Sequence, residues 1–191
     1  MPRQKEFDEA KVLNALKNVF WKNGFDGTSY ADLIEASGLY KGSLYGAFGD
    51  KRALYLHSLK DYEDHEVESA VALLTGAAAT ARLSGRDRIK RLLDLVIDAV
   101  ATHRDRRGCL LCNAAVDQAP HDKSVEKVVT DGLNKMQSAI EAALKVDSPR
   151  KDVKEMASQI NAVYFGMRVM AKSGAPLSMM KRARDSILKS L

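Results

Sequence analysis

The feature that most constrains the fold is the spacing of apolar residues, which recur every three to four positions through most of the chain. This period is typical of amphipathic helices that turn one apolar stripe toward a core. Five such stripes occur, and no segment shows the strict alternation expected of a half-buried strand. The pattern therefore predicts an all-α chain of about nine helices, with three short helices first and longer ones behind.

Glycine and a few polar residues divide the front of the chain into short helical segments. Gly24 follows the first apolar stripe, and Gly38 follows a second, shorter one. Thr28 or Ser29 is predicted to cap the second helix, and Asp50 to cap the long helix that follows the third. These positions predict three short helices before residue 50.

The second and third helices, joined by a tight turn that contains glycine, match a helix-turn-helix. In that unit the second helix lies in the major groove of DNA, with its N-terminal residues nearest the bases. Gly42 would let the backbone approach a phosphate, while Lys41 and Lys51 would neutralise phosphate charge. The Tyr45 hydroxyl can donate to a phosphate, and the Ser43 hydroxyl to a phosphate or a base. Short glycine-containing helices and solvated lysines are also common in proteins that bind no DNA, so the pattern alone leaves both interpretations open.

Composition narrows the function classes without choosing one. The formal net charge of +5 over 191 residues mildly favours a polyanionic partner. No apolar run approaches the ~20 residues that span a bilayer, and the first residues are polar, so we expect a cytoplasmic protein. The sequence contains no phosphate-binding loop and no complete catalytic or metal-binding motif, so we expect neither an enzyme nor a cofactor.

Residues 10–54 resemble the N-terminal domain of the TetR family of transcriptional repressors, most closely in the run "KGSLYGAFGDK". The resemblance implies a helix-turn-helix DNA-binding domain over residues 1–50 and a six-helix ligand-binding and dimerisation domain over 51–191. It further implies a homodimer, joined through its last two helices, that binds a double-stranded palindromic operator and leaves it when a small-molecule inducer binds. The residues that carry the match are Gly24, Phe25, Thr28, Leu33, Ile34, Ala36, Gly38, Lys41, Gly42, Ser43, Leu44, Tyr45, Phe48, Lys51 and Leu54.

The resemblance also assigns roles within the front domain. Thr28 matches a phosphate contact at a helix start. The sequence departs from the family at Tyr40, where a small hydroxyl residue is usual, and at Gly46 and Ala47, where larger side chains are usual. We expect Tyr40 to take over a backbone or thymine-methyl contact. The predicted DNA-binding residues are Thr28, Tyr40, Lys41, Gly42, Ser43, Tyr45 and Lys51.

The segment "GCLLC" places Cys109 and Cys112 three residues apart, on one face of a helix. It resembles a Gly-Cys-Leu stretch found in a subset of these regulators. Three interpretations stay open: two buried thiols that act as small hydrophobes, a reactive-thiol sensor, or a soft-metal site completed by His103 or His121. A thiol, electrophile or soft-metal sensor is therefore the alternative function.

Other candidates for ligand contact lie on later helices. Asn113, Asp117 and His121 are spaced four apart, which predicts one polar helix face for an inducer or for a structural hydrogen-bond ladder. Tyr164 and Met167 belong to an apolar stripe that can line a cavity, a dimer seam or the core. The predicted ligand-binding residues are Cys109, Asn113, Tyr164 and Met167, and no metal ligands are assigned.

Overall fold

The computed structural model describes residues 7–76, 80–147 and 151–191. Within these ranges the chain forms helices and no strands, which confirms the predicted all-α class. Residues 1–6 of the predicted first domain lie outside the described residues. The helices are α1 (Glu9–Asn23), α2 (Tyr30–Ser37), α3 (Lys41–Phe48), α4 (Lys51–Tyr62), α5 (Glu68–Thr75), α6 (Gly85–Ala101), α7 (Leu110–Asp117), α8 (Lys123–Leu144), α9 (Val153–Lys172) and α10 (Leu177–Leu188).

A π-helical segment, Glu63–Val67, joins α4 to α5. The three segments together make one long rod, so the described chain has nine separate helical rods, close to the number that periodicity predicts. None of the helices in the described ranges has the length and apolar content needed to cross a membrane.

Helices α1–α3 form a small unit, here called the head, whose ends are set by local caps. Ser29 caps α2: its hydroxyl accepts the Asp32 N–H at 3.2 Å, and the Asp32 carboxylate accepts the Ser29 N–H at 2.7 Å. Of the two residues predicted as this cap, Ser29 is therefore the correct one. Gly38 ends α2 in the left-handed conformation, with φ of 65°, and Asp50 caps α4 by accepting the Ala53 N–H.

Helices α4–α10 form the larger unit, here called the body. Its core is built from the apolar stripes that the sequence predicts, including Ile89 and Leu93 of α6 and Ile140 of α8, all fully buried. Ile160 and Met167 of α9 are equally buried. The amphipathic pattern thus identifies the core face of each long helix correctly.

A buried cation and a buried tryptophan tie the head to the body. Lys17 of α1 is only 4% exposed, and its ammonium lies 3.0 Å from Asp61 and 2.8 Å from Glu66 on the long rod. Because a buried charge is costly without partners, these two carboxylates anchor α1 against the rod. Trp21 of α1 packs edge-on against Tyr62 of α4 at 4.9 Å, so it lies between the head and the body.

The connection between α7 and α8 contacts the head as well. The Asp117 carboxylate accepts the Phe25 N–H at 3.2 Å. A few residues on, Asp122 caps α8 and also accepts a hydrogen bond from the Arg52 guanidinium at 2.8 Å. The end of α7 therefore touches the loop after α1, and the connection that follows it touches the start of α4.

Candidate functional site: the helix-turn-helix face and the adjoining cleft

The turn between α2 and α3 sets which side of α3 faces outward. The chain leaves α2 through Gly38 and re-enters helix at Lys41. Leu44 is fully buried and Phe48 is 6% exposed, so the inner side of α3 is pinned to the core of the head. The other side of α3 is left for solvent or a partner.

The outer face of α3 is almost bare of side chains. Gly42, Ser43 and Gly46 are exposed there, as is Lys41 at its start. A methyl group added at Gly42 or Gly46 would meet no atom within 4 Å, so the packing of the protomer does not require glycine at either position. Tyr40, which precedes α3, is 88% exposed. The result is a thin helix edge, flanked by one aromatic ring and one cation, on which another molecule could come close to the backbone.

Tyr45 is placed differently from the exposed phosphate donor that the sequence predicts. Its ring packs edge-on against Tyr30 with centroids 5.4 Å apart. Its hydroxyl is shielded from solvent and has no hydrogen-bond partner within the described residues. Burial raises the pKa of Tyr45 above its ordinary value. In this conformation the hydroxyl is not on the surface, where the predicted phosphate contact would need it.

Thr28 is buried, and Lys51 is partly buried. Thr28 is 1% exposed, and its hydroxyl donates to the Gly24 carbonyl at 2.6 Å. The exposed hydroxyl at the start of α2 belongs to Ser29, so the phosphate contact predicted for Thr28 does not fit its buried side chain. Lys51 is partly buried at the start of α4, and its ammonium lies 4.6 Å from the centre of the Phe25 ring.

A cleft of about 570 Å³ lies beside the head. One wall is the loop that follows α1, including Gly24, and the others are α7 and α9 of the body. Of the predicted ligand-binding residues, Cys109 and Asn113 line this cleft. Tyr164 and Met167 do not: Met167 is fully buried and Tyr164 is 5% exposed, so both belong to the core.

The two thiols form a polarised pair at the cleft. Cys112 hydrogen-bonds to Cys109, and this hydrogen bond lowers the pKa of the Cys109 thiol. The charge of Arg168 and a hydrogen bond from Tyr62 also lower this pKa, whereas burial opposes them. The same hydrogen bond, with burial, raises the pKa of Cys112. Cys109 is nonetheless only 4% exposed.

The structure does not support the soft-metal interpretation. In the ranges that the structure covers, no three His, Cys, Asp or Glu side chains come together in a way that could hold a metal ion. Helix α7 ends at Asp117, so His121 lies beyond it and is exposed. The expectation that Asn113, Asp117 and His121 share one helix face was therefore wrong for His121, because the chain turns before it reaches that position.

Arg168 of α9 is a cleft residue that the sequence did not reveal. Its guanidinium donates to the Tyr164 hydroxyl at 2.9 Å and to the Gly108 carbonyl at 3.5 Å. Gly108 has a φ of 74°, and an added Cβ there would lie 2.9 Å from the Arg168 carbonyl oxygen. The glycine of "GCL" therefore lets the start of α7 approach α9. The only sequence signal for Arg168 was its position one helical turn after Tyr164.

Comparisons with known proteins agree with the helix-turn-helix assignment. The family model for bacterial regulatory proteins of the tetR family matches residues 12–57, and the model for the tetracyclin repressor-like C-terminal domain matches residues 85–187. The uncharacterized HTH-type transcriptional regulator YezE of Bacillus subtilis (strain 168) is 28% identical over 202 residues, which cover 100% of this chain and 98% of YezE. The HTH-type transcriptional repressor ComR of Escherichia coli (strain K12) is 24% identical, over 98% of this chain and 90% of ComR.

Solved structures show the same architecture. A cysteine mutant of the TetR family transcriptional regulator CifR, complexed with 26-bp double-strand operator DNA, superposes with a TM-score of 0.83 at 26% identity and covers 98% of both chains. The reduced form of NemR from Escherichia coli has a TM-score of 0.81 at 17% identity, over 94% of this chain and 95% of NemR, and shares the fold.

Proposed function

The chain belongs to the TetR family of bacterial regulators, and from this premise we propose that it is a homodimeric repressor that a small-molecule effector releases from a palindromic operator. Membership of the family makes it a DNA-binding transcriptional regulator with a helix-turn-helix. The observation that carries the proposal of ligand release is the cleft, because its walls come from both the head and the body.

On DNA, α3 would lie in the major groove with its bare edge toward the bases. Ser43 is exposed on that edge and would contact a base or phosphate, while Lys41 would neutralise a phosphate. Tyr40 is exposed enough to reach a base edge or a thymine methyl. The operator complex of the similar protein CifR supports double-stranded DNA as the partner.

Release would follow from the position of the cleft. A molecule bound there contacts the loop after α1, next to the hydrogen bond between Asp117 and the Phe25 N–H. Two heads of a dimer must reach half-sites about 34 Å apart, or a multiple of that, at the same time. An effector that binds better to a state in which the heads have moved lowers the population that fits both half-sites.

Fluorescence anisotropy with labelled duplexes from the region upstream of the gene tests the DNA-binding part. We expect one palindromic duplex to bind more tightly than a scrambled duplex of equal length, with an affinity that falls steeply as salt rises. Ser43→Ala should change the sequence preference, whereas Lys41→Ala should weaken binding to all duplexes. Equal affinity for every duplex at every salt concentration would remove the proposal.

The alternative is a thiol or electrophile sensor on the same scaffold, acting through Cys109 and Cys112. We prefer ligand release because Cys109 is 4% exposed, and a reagent would have to enter the cleft before it could react. Cys109→Ser and Cys112→Ser, made separately, distinguish the two. If both variants still bind and leave the operator as the wild type does under oxidants and electrophiles, the thiols are structural.

A further inference from the structure

We propose that the cleft recognises its effector through an anionic group, most simply a carboxylate, which binds the guanidinium of Arg168. The inference rests on the proposed function for its regulatory meaning, but the binding event can be tested separately.

Arg168 is a partly buried cation without a carboxylate partner. Its hydrogen bonds go to the Tyr164 hydroxyl, at 2.9 and 3.2 Å, and to the Gly108 carbonyl at 3.5 Å. None of the ion pairs within the described residues includes Arg168. Arg184 of α10, by contrast, is paired with the Asp94 carboxylate at 2.6 Å. Since taking a charge out of water is costly without a partner, a carboxylate at Arg168 would recover energy that the free protein lacks.

The remaining charges of the cleft favour the same orientation of a ligand. Lys172 lies one helical turn after Arg168 and also lines the cleft, so both cations face it from α9. The carboxylates of the cleft are already engaged: Asp117 accepts the Phe25 N–H at 3.2 Å, and Asp26 accepts the Gln118 amide at 3.2 Å. The charges of the cleft therefore favour an anion bound beside Arg168 and Lys172 of α9, away from Asp26 and Asp117.

The Cys109 sulfur is one of the groups beside Arg168 that can carry negative charge, together with the hydroxyls of Tyr62 and Tyr164. The Asp105 carboxylate also interacts with Arg168, but it is paired with Arg107 at 2.7 Å. A thiolate is a single, diffuse acceptor, whereas a carboxylate offers two oxygens that match the planar guanidinium. A bound carboxylate would therefore be a better counter-ion for Arg168 than the thiol.

Apolar side chains supply the rest of the site. Val116 of α7 is 83% exposed and Val169 of α9 is 57% exposed, and both line the cleft. They would cover the apolar part of a ligand whose anionic end lies at Arg168. The ligand class that fits is a small amphipathic monocarboxylate, such as an aromatic or medium-chain acid.

The fluorescence of Trp21 reports on binding, because Trp21 is the one tryptophan of the chain. It packs against Tyr62, which hydrogen-bonds to Cys109 at the cleft. Full-length protein is titrated with benzoate, 2-naphthoate and octanoate, and with the primary amide of each, while Trp21 fluorescence is followed. We expect at least one acid to bind about tenfold or more tightly than its amide, as a charge-assisted hydrogen bond predicts. Arg168→Met should reduce this ratio to within about twofold, and Arg168→Lys should keep part of it.

Arg184→Met serves as the matched control, since Arg184 pairs with Asp94 outside the cleft. It should keep the wild-type ratio, and thermal unfolding would establish that each variant is folded. The inference is overturned if no acid binds more tightly than its amide, or if the preference persists in Arg168→Met. Operator release is measured in parallel: acids that bind without releasing DNA leave this inference standing and remove the proposed ligand response.

Discussion

At the scale of single residues, the outer edge of α3 is distinguished by its small side chains. Glycine weakens a helix by about 1 kcal/mol relative to alanine, yet α3 has two glycines in eight residues. Neither Gly42 nor Gly46 has an atom within 4 Å of an added methyl. Internal packing therefore does not account for them, whereas the proposed close approach of α3 to DNA would.

The substitution Gly46→Ala separates these two explanations. We expect the free energy of unfolding to rise by up to about 1 kcal/mol, because alanine favours the helix and meets no neighbour. Operator affinity should fall about tenfold, equivalent to about 1.4 kcal/mol, because the methyl group would occupy the thin edge of α3. Urea unfolding and anisotropy on the same preparation measure both quantities. Increased stability with unchanged affinity would show that this edge does not meet DNA.

At the scale of secondary-structure elements, the connection between α7 and α8 combines two tasks. Asp122 caps α8 through the Ser124 N–H at 2.8 Å, and it also binds Arg52 at the start of α4. The hydrogen bond from Arg52, aided by the cap, lowers the pKa of Asp122 to about 2. One carboxylate thus starts a helix of the body and holds the helix that follows the head.

Two substitutions at Asp122 separate the cap from the ion pair. Asp122→Ala should lower the free energy of unfolding by about 1 kcal/mol at pH 7, whereas Asp122→Asn keeps a capping side chain and should cost less. Because the folded-state pKa is lowered, the stability due to the charge is present above about pH 4 and lost as the pH falls toward 2. The difference between wild type and Asp122→Asn should therefore shrink over this interval in urea titrations. A difference that stays constant down to pH 2 would contradict the assignment.

At the scale of the whole molecule, one head alone offers few contacts to DNA. The exposed edge of α3 carries a single lysine, and Tyr45 and Thr28 are withdrawn from the surface. Two linked heads bind far more tightly than one, since the second binding event becomes intramolecular. Met179 of α10 is an exposed apolar residue, at 41%, and offers a surface through which two protomers would pair.

The variant Met179→Asp tests this assembly. We expect light scattering to give the mass of two chains for wild type and of one chain for the variant, because an aspartate cannot be buried unpaired in an apolar seam. Operator affinity should fall by about a hundredfold or more through the loss of the second head. Leu95→Asp is the control, since Leu95 is 49% exposed on α6, and it should keep the wild-type mass and affinity. A wild-type protein with the mass of one chain would rule out the dimer.

Patterns in the sequence suffice to predict the all-α class, the helix-turn-helix, the family and the core faces of the long helices. These features follow from local causes: a period of three to four residues, caps such as Asp50, and a left-handed glycine at Gly38. Which side chains are available for function depends instead on tertiary contacts. Thr28 and the Tyr45 hydroxyl are withdrawn, Met167 is in the core, and Arg168 lies in a cleft beside the head. These outcomes depend on contacts between segments far apart in the chain, such as the hydrogen bond between Phe25 and Asp117. A local sequence pattern does not specify which distant residues come into contact.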